Sequence, residues 1–154
     1  MIRLPRKTMF ALEAVVDIAY NARPEPVQSK EITRRQGIPQ RYLEQVMQQL
    51  VHAGVLKGVR GPRGGYTLAR ERRRITVGEV VRVIDAIDRE DEAADLDREA
   101  AGSALGQQVV RPLWNELQDE MMRRLDAVTL EELCQRAREA GIHPEARERP
   151  DFTI

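Results

Sequence analysis

The chain has 154 residues and a mass of 17.6 kDa, enough for one domain with a real core or for a small domain with an oligomerising appendage, and too little for two large domains. Charged residues make up 32% and hydrophobic residues 42%, a composition that folds, and the net charge at neutral pH is zero. No run approaches the roughly 20 apolar residues of a membrane span, and Met-Ile-Arg-Leu-Pro-Arg-Lys leads into no signal-type apolar stretch, so the expected location is the cytoplasm, with no membrane partner. The single cysteine, Cys134, excludes an intrachain disulfide framework and offers one ligand where a structural zinc or iron-sulfur site takes about four.

The zero net charge conceals a division. Residues 1–74 carry 15 Lys and Arg against 6 Asp and Glu, whereas residues 75–154 carry 10 against 19. A positive half of this density is the footprint of a polyanion-binding surface, and the acidic half would be repelled from the same duplex.

In chain order, Pro5 opens a first helix over about 5 to 22. Met9, Leu12, Val15, Val16 and Ala19 recur in it at helical spacing until Arg23-Pro24-Glu25-Pro26 ends it. Ser29 reads as the N-cap of a short helix over 30 to 36 that Gly37 terminates in the left-handed region. Pro39 starts a third helix reaching His52-Ala53, before Gly54. The pair forms a helix-turn-helix.

The third helix has two faces. Leu43, Val46, Met47, Leu50 and Val51 form an apolar stripe that needs a core, while Arg41, Glu44, Gln45, Gln48, Gln49 and His52 share the other side. That second face is polar but almost uncharged, and Gln and Arg are the side chains that pair bidentately with adenine and guanine edges in the major groove. The segment 55 to 68 then reads as a hairpin with a Gly- and Pro-rich turn carrying Arg60 and Arg63, positioned as a wing directly after the helix-turn-helix. Its glycines suit close backbone approach and positive φ, and its arginines suit phosphates or a narrow minor groove.

Thr76-Val77-Gly78-Glu79 is a capping box for a fourth helix over about 77 to 88, with Val80, Val83, Ile84 and Ile87 on one face. Residues 89–104 lose apolar periodicity and turn acidic, which reads as a linker or an exposed helix; their carboxylates lack the Gly-punctuated spacing of a calcium loop. Between about 105 and 128, Val110, Leu113, Trp114, Leu117, Met121 and Leu125 form the apolar face of a long helix that Pro112 either starts or kinks. Such a face requires a partner, and a second copy across a two-fold axis satisfies it; packing against the first helix is the alternative, and the two are compatible. Thr129-Leu130-Glu131-Glu132 caps a last helix ended by Gly141, followed by a loose tail. The expected organisation is a DNA-binding domain over 1–88, an acidic linker over 89–104, dimerisation helices over 105–141 and a flexible tail over 142–154.

Tyr42-Leu43-Glu44-Gln45, Val59-Arg60-Gly61-Pro62-Arg63-Gly64-Gly65-Tyr66, Val77-Gly78-Glu79-Val80 and Leu113-Trp114, in that order, resemble the Rrf-type (IscR/NsrR/CymR-like) bacterial winged-helix regulators over residues 2 to about 133. The resemblance implies a mainly α fold: a winged helix-turn-helix with a two-stranded β wing plus a long dimerisation helix. It implies a homodimeric transcription regulator, repressor or activator, that reads a palindrome in double-stranded DNA. Carried over residue by residue, it suggests DNA contacts from Arg3 and Lys7, from Arg41, Tyr42, Glu44 and Gln45, and from Arg60, Pro62, Arg63 and Gly64; spacing adds Gln48. Arg63 stands where the family commonly has glycine and Arg41 where it has a small polar residue, so base preference does not transfer. Glu44, an acid facing DNA, accepts favourably only from a cytosine amino group.

Cluster-binding relatives carry three cysteines between the fourth helix and the tryptophan; here residues 88–113 contain none, and Cys134 reads as a buried or interface thiol. The expected cofactor is therefore none, and the signal is an effector, small molecule or protein, that the sequence does not name. The competing reading is a winged-helix adaptor that regulates a metabolic enzyme through the acidic half. An enzyme is disfavoured because neither His52 nor His143 has a nucleophile or orienting carboxylate at suitable spacing.

Overall fold

The computed structural model describes residues 4–21, 25–96 and 102–145, with residues 88–96 described by backbone alone. Helix α1 (Arg6–Asn21) is the central post, packed by α2 (Ser29–Gln36), α3 (Gln40–His52), α4 (Val77–Leu96) and α6 (Leu130–Glu139) and by strand β2 (Gly65–Leu68). Its fully buried face is Ala11, Ala14, Val15 and Ile18. Met9, expected on that face, is exposed, because the buried stripe runs through Thr8, Ala11, Val15 and Ile18, one position round the helix from it.

The α2 cap differs from expectation. Gln28 is the N-cap and its backbone N–H donates to Glu31 Oε2 at 2.8 Å, so Ser29 becomes the first helical residue. Gly37 does end α2, at φ 66°, donating to Thr33 O. In α3, Leu43, Val46, Met47 and Leu50 are buried as expected, whereas Val51 is 36% exposed: it lies at the edge of the stripe, just before Gly54 (φ 78°) turns the chain toward β1 (Leu56–Val59).

The wing is the antiparallel pair β1–β2, with Leu56 opposite Leu68 and Val59 opposite Gly65. Val27 adds a bridge on its far side, donating to Tyr66 O at 2.9 Å and accepting from Tyr66 N at 2.8 Å. After a single 3-10 turn, Arg72–Arg74, Thr76 Oγ1 accepts from Glu79 N, which is one half of the expected capping box, while the Glu79 carboxylate pairs with Arg70 instead.

Helix α4 runs to Leu96, eight residues past the expected end. Apolar periodicity fades there while the helix persists, since Glu, Ala, Leu and Arg are strong helix formers. Residues 97–101 of the expected linker lie outside the described residues. Ser103 then caps the next helix, its Oγ accepting from Gly106 N. A wide π-turn, Gly106–Val110, leads into α5 (Arg111–Asp126), where Pro112 sits in the first turn. Of the two expected alternatives, Pro112 thus takes the start: it stands in the first turn of α5, where its missing N–H costs no bond within that helix, and Arg111 N–H donates to Gly106 O across the wide turn before it.

Helix α6, capped by Thr129, returns to the core, burying Leu130 and Cys134 against α1. The start of the tail is not loose. Tyr20 OH donates to Ile142 O, Glu145 N donates to Asn21 Oδ1, and the Glu145 carboxylate takes Arg34 and Arg35. Residues 146–154 lie outside the described residues.

One buried ion pair orients the helix-turn-helix. The Asp17 carboxylate, buried in α1, accepts from Arg35 Nε at 2.8 Å, from Arg35 Nη2 at 2.7 Å and from Gln36 Nε2 at 2.8 Å, which ties α2 to α1 through a forked pair. These bonds hold the Arg35 guanidinium well above its ordinary pKa, the bond to Asp17 being the main cause. Asp17→Ala is expected to cost about 1.5–3 kcal/mol in urea unfolding, because it leaves the mostly buried Arg35 guanidinium with only its bond to Glu145; a loss below about 1 kcal/mol would contradict this role. Burial raises the Cys134 thiol pKa, against the pull of Arg72. Native protein near pH 8 should therefore resist a thiol-specific disulfide reagent and react fully once denatured, and rapid native reaction would contradict the burial.

Candidate nucleic-acid interface

With its apolar stripe held in the core, α3 presents Arg41, Tyr42, Glu44, Gln45, Gln48, Gln49 and His52, all exposed. The start of this helix is organised by contacts that the sequence did not single out. Thr33 Oγ1 on α2 donates to Gln40 Oε1 at 3.0 Å, and Gln40 Nε2 donates to Glu44 Oε1 at 3.1 Å. Gln40 thus holds the Glu44 carboxylate in place. The i, i+4 spacing of Gln40 and Glu44 is the signal that could have revealed it.

Tyr42 rests against Phe10 of α1, ring centroids 6.1 Å apart, which limits its motion while leaving it exposed. Lys7, half-buried on the first turn of α1, shares with Tyr42, Gln45, Gln48 and Gln49 a groove of about 260 Å³ floored by Val46, Ile84 and Ile87. Lys7 and the α3 face are thereby brought together. Arg3 lies outside the described residues.

At the wing tip Arg60, Pro62 and Arg63 are exposed and Gly64 is half-buried. Gly61 takes φ 114° and accepts from Gly64 N at 2.9 Å, closing the turn. Glycine at 64 is required within the wing itself: a Cβ there would lie 2.2 Å from Val59 O. Among the described residues Arg41, Arg60 and Arg63 take part in no ion pair, whereas Arg35, Arg70 and Arg82 are each bound to a carboxylate. An unpaired guanidinium on a projecting tip can meet a phosphate without first breaking a protein contact.

The second surface is on α5. Val110, Leu113, Trp114, Leu117 and Met121 are 46–57% exposed, Leu125 is half-buried, and Leu105 and Val109 extend the same apolar character toward the helix start. α5 itself buries no residue. A contiguous apolar stripe of this length on an exposed helix marks an interaction surface.

Thiolate donors for a metal cluster do not fit. The whole chain has one cysteine, it is buried in α6 rather than placed between α4 and Trp114, and among the described residues no three His, Cys, Asp or Glu side chains gather as a metal site. Among those residues there is also no helix long and apolar enough to cross a membrane.

Comparison with known proteins agrees with this geometry. The family model Rrf2, described as an iron-dependent transcriptional regulator, matches residues 4–136. The HTH-type transcriptional regulator IscR of Escherichia coli (strain K12 / DH10B) is 36% identical over 135 residues, covering 86% of this chain and 80% of that protein. Among solved structures, IscR of T. potens superimposes with a TM-score of 0.72 at 31% identity, covering 94% of both chains. CymR, the global cysteine regulator of B. subtilis, superimposes at 0.68 and 27%, covering 88% of this chain and 98% of that one. These relatives are transcription regulators and not enzymes, and the fold is theirs: helix-turn-helix, two-stranded wing and long C-terminal helices. The chain belongs to the Rrf2 family of DNA-binding transcriptional regulators, as a member without the three cluster cysteines.

Proposed function

We propose that the protein is a homodimeric, sequence-specific regulator that reads a palindromic operator without an iron-sulfur cluster. The observation that carries this reading is the exposed face of α3, whose Arg41, Glu44, Gln45 and Gln48 stand opposite a fully packed stripe. A polar helix face held from behind in this way is suited to entering a major groove, where glutamine and arginine pair with base edges. Arg60 and Arg63, with Pro62 and Gly64 shaping the tip, grip the flanking backbone; Lys7 and Arg3 add contacts from the N-terminal side, and Tyr42 positions the helix against the sugar-phosphate strand.

Two subunits join through Val110, Leu113, Trp114, Leu117, Met121 and Leu125. Burying this stripe against its own copy removes from water the apolar surface that a lone subunit leaves exposed, and a two-fold axis makes the two reading helices symmetric. The single buried thiol supports operation without a thiolate-bound cluster. The input is then a small-molecule or protein effector that biases the dimer geometry.

Selection of duplexes from a random pool tests the reading: it should return a palindrome, and equal affinity for selected and random duplex would reject it. If Arg3, Lys7, Arg60 and Arg63 each meet a phosphate in both subunits, log affinity should fall with log salt at a slope of about −7. Arg63→Ala should weaken binding to every sequence and flatten that slope by about 2. Gln45→Ala should instead change preference at one base pair per half-site by about 1–3 kcal/mol. Met121→Glu should convert the dimer to monomer in sedimentation and abolish tight operator binding; an unchanged dimer would contradict the α5 assignment. Protein purified without oxygen should be colourless, and a brown preparation containing iron and sulfide would overturn the cofactor assignment.

A further inference from the structure

The corner at which α5 joins the winged domain is built with more definition than the rest of α5. Val77 N donates to Val128 O at 2.8 Å and Leu130 N donates to Ile75 O at 2.9 Å, so the start of α4 and the α5–α6 turn form a short antiparallel ladder bridged at Thr76 and Thr129. Next to it, the forked guanidinium of Arg82 on α4 meets both oxygens of Asp126, the last residue of α5, at 2.6 and 2.5 Å. Asp126 also presses on the first turn of α4: a Cβ at Gly78 would fall 1.9 Å from Asp126 Oδ1 and 3.0 Å from its backbone N. The carboxylate thus lies against the positive end of the α4 dipole as well as in the arginine fork.

This pair is partly exposed, and such pairs add little stability. A bidentate fork nevertheless fixes direction, and here it acts on a helix that has no buried residue to fix its own. α5 is about 24 Å long, so a 10° swing at the corner displaces its far end by about 4 Å. Two-fold symmetry doubles the effect on the separation of the winged domains. One base pair advances a half-site by about 3.4 Å.

We infer that Gly78, Arg82 and Asp126 form the joint that sets the spacing between operator half-sites, a positioning role that rests on the dimeric, α5-paired reading above. These residues touch no base and leave half-site sequence preference alone.

The test is selection from a random duplex pool, followed by competition among duplexes that carry the selected half-sites with the spacer lengthened or shortened by one base pair. The wild-type protein should prefer one spacer by about tenfold over its neighbours; Arg82→Ala, Asp126→Ala and Gly78→Ala should reduce that preference to about threefold or less while selecting the same half-site bases. Circular dichroism melting shows which variants are folded, and Arg82→Ala, the removal of a partly exposed side chain, is the reference among them. If the folded variants keep the wild-type preference, or change the half-site bases, the joint is wrongly assigned. If the wild-type protein itself selects no paired half-sites, the dimeric reading fails instead.

Discussion

Burial of one side of α3 is the constraint on which the molecule's exposed polar surface depends. Leu43, Met47 and Leu50 have essentially no contact with water and Val46 very little, so rotation of α3 about its axis would trade well-packed apolar surface for exposed surface. The opposite side is fixed by the same packing, and Arg41, Glu44, Gln45 and Gln48 face outward without any specific bond having to turn them there. What packing leaves free, polar contacts then refine. Asp17 clamps Arg35 and hence α2, Thr33 on α2 holds Gln40, and Gln40 holds Glu44. Through the body of α2, these bonds couple a buried carboxylate in α1 to an acid on the exposed polar face of α3.

Much of this was legible in the sequence because the signals are local. The left-handed Gly37, the caps at Thr76 and Thr129, the stripe of α3 and the Gly-Pro turn of the wing each depend on residues within a few positions of one another, and all appear where the chain chemistry puts them. The apolar face of α5 was legible for the same reason.

The features that escaped depend on distant partners. Asp17 sits between Val16 and Ile18 in an apolar run and looks misplaced until Arg35 arrives from another helix. Glu145 belonged to a stretch that read as tail, and only the fold brings it to Arg34 and Arg35. The length of α4 escaped because helix propensity persists where amphipathicity stops, and the π-turn because proline chemistry alone does not say whether a helix breaks or stretches. For the candidate interface, residue types and spacing named the face, while the contacts of Gln40 and the internal demand for glycine at 64 required the neighbouring backbone.

The two surfaces belong to one device only if the dimer presents both α3 helices to the same side of a duplex, and the distance between them tests this directly. With Cys134 replaced by alanine and a nitroxide placed at Gln48→Cys, pulsed dipolar spectroscopy measures the separation of the two α3 helices in solution. The account predicts one narrow distance close to a whole number of helical turns, about 34 Å or a multiple of it. No dipolar coupling, or a distance falling between whole turns, would contradict it.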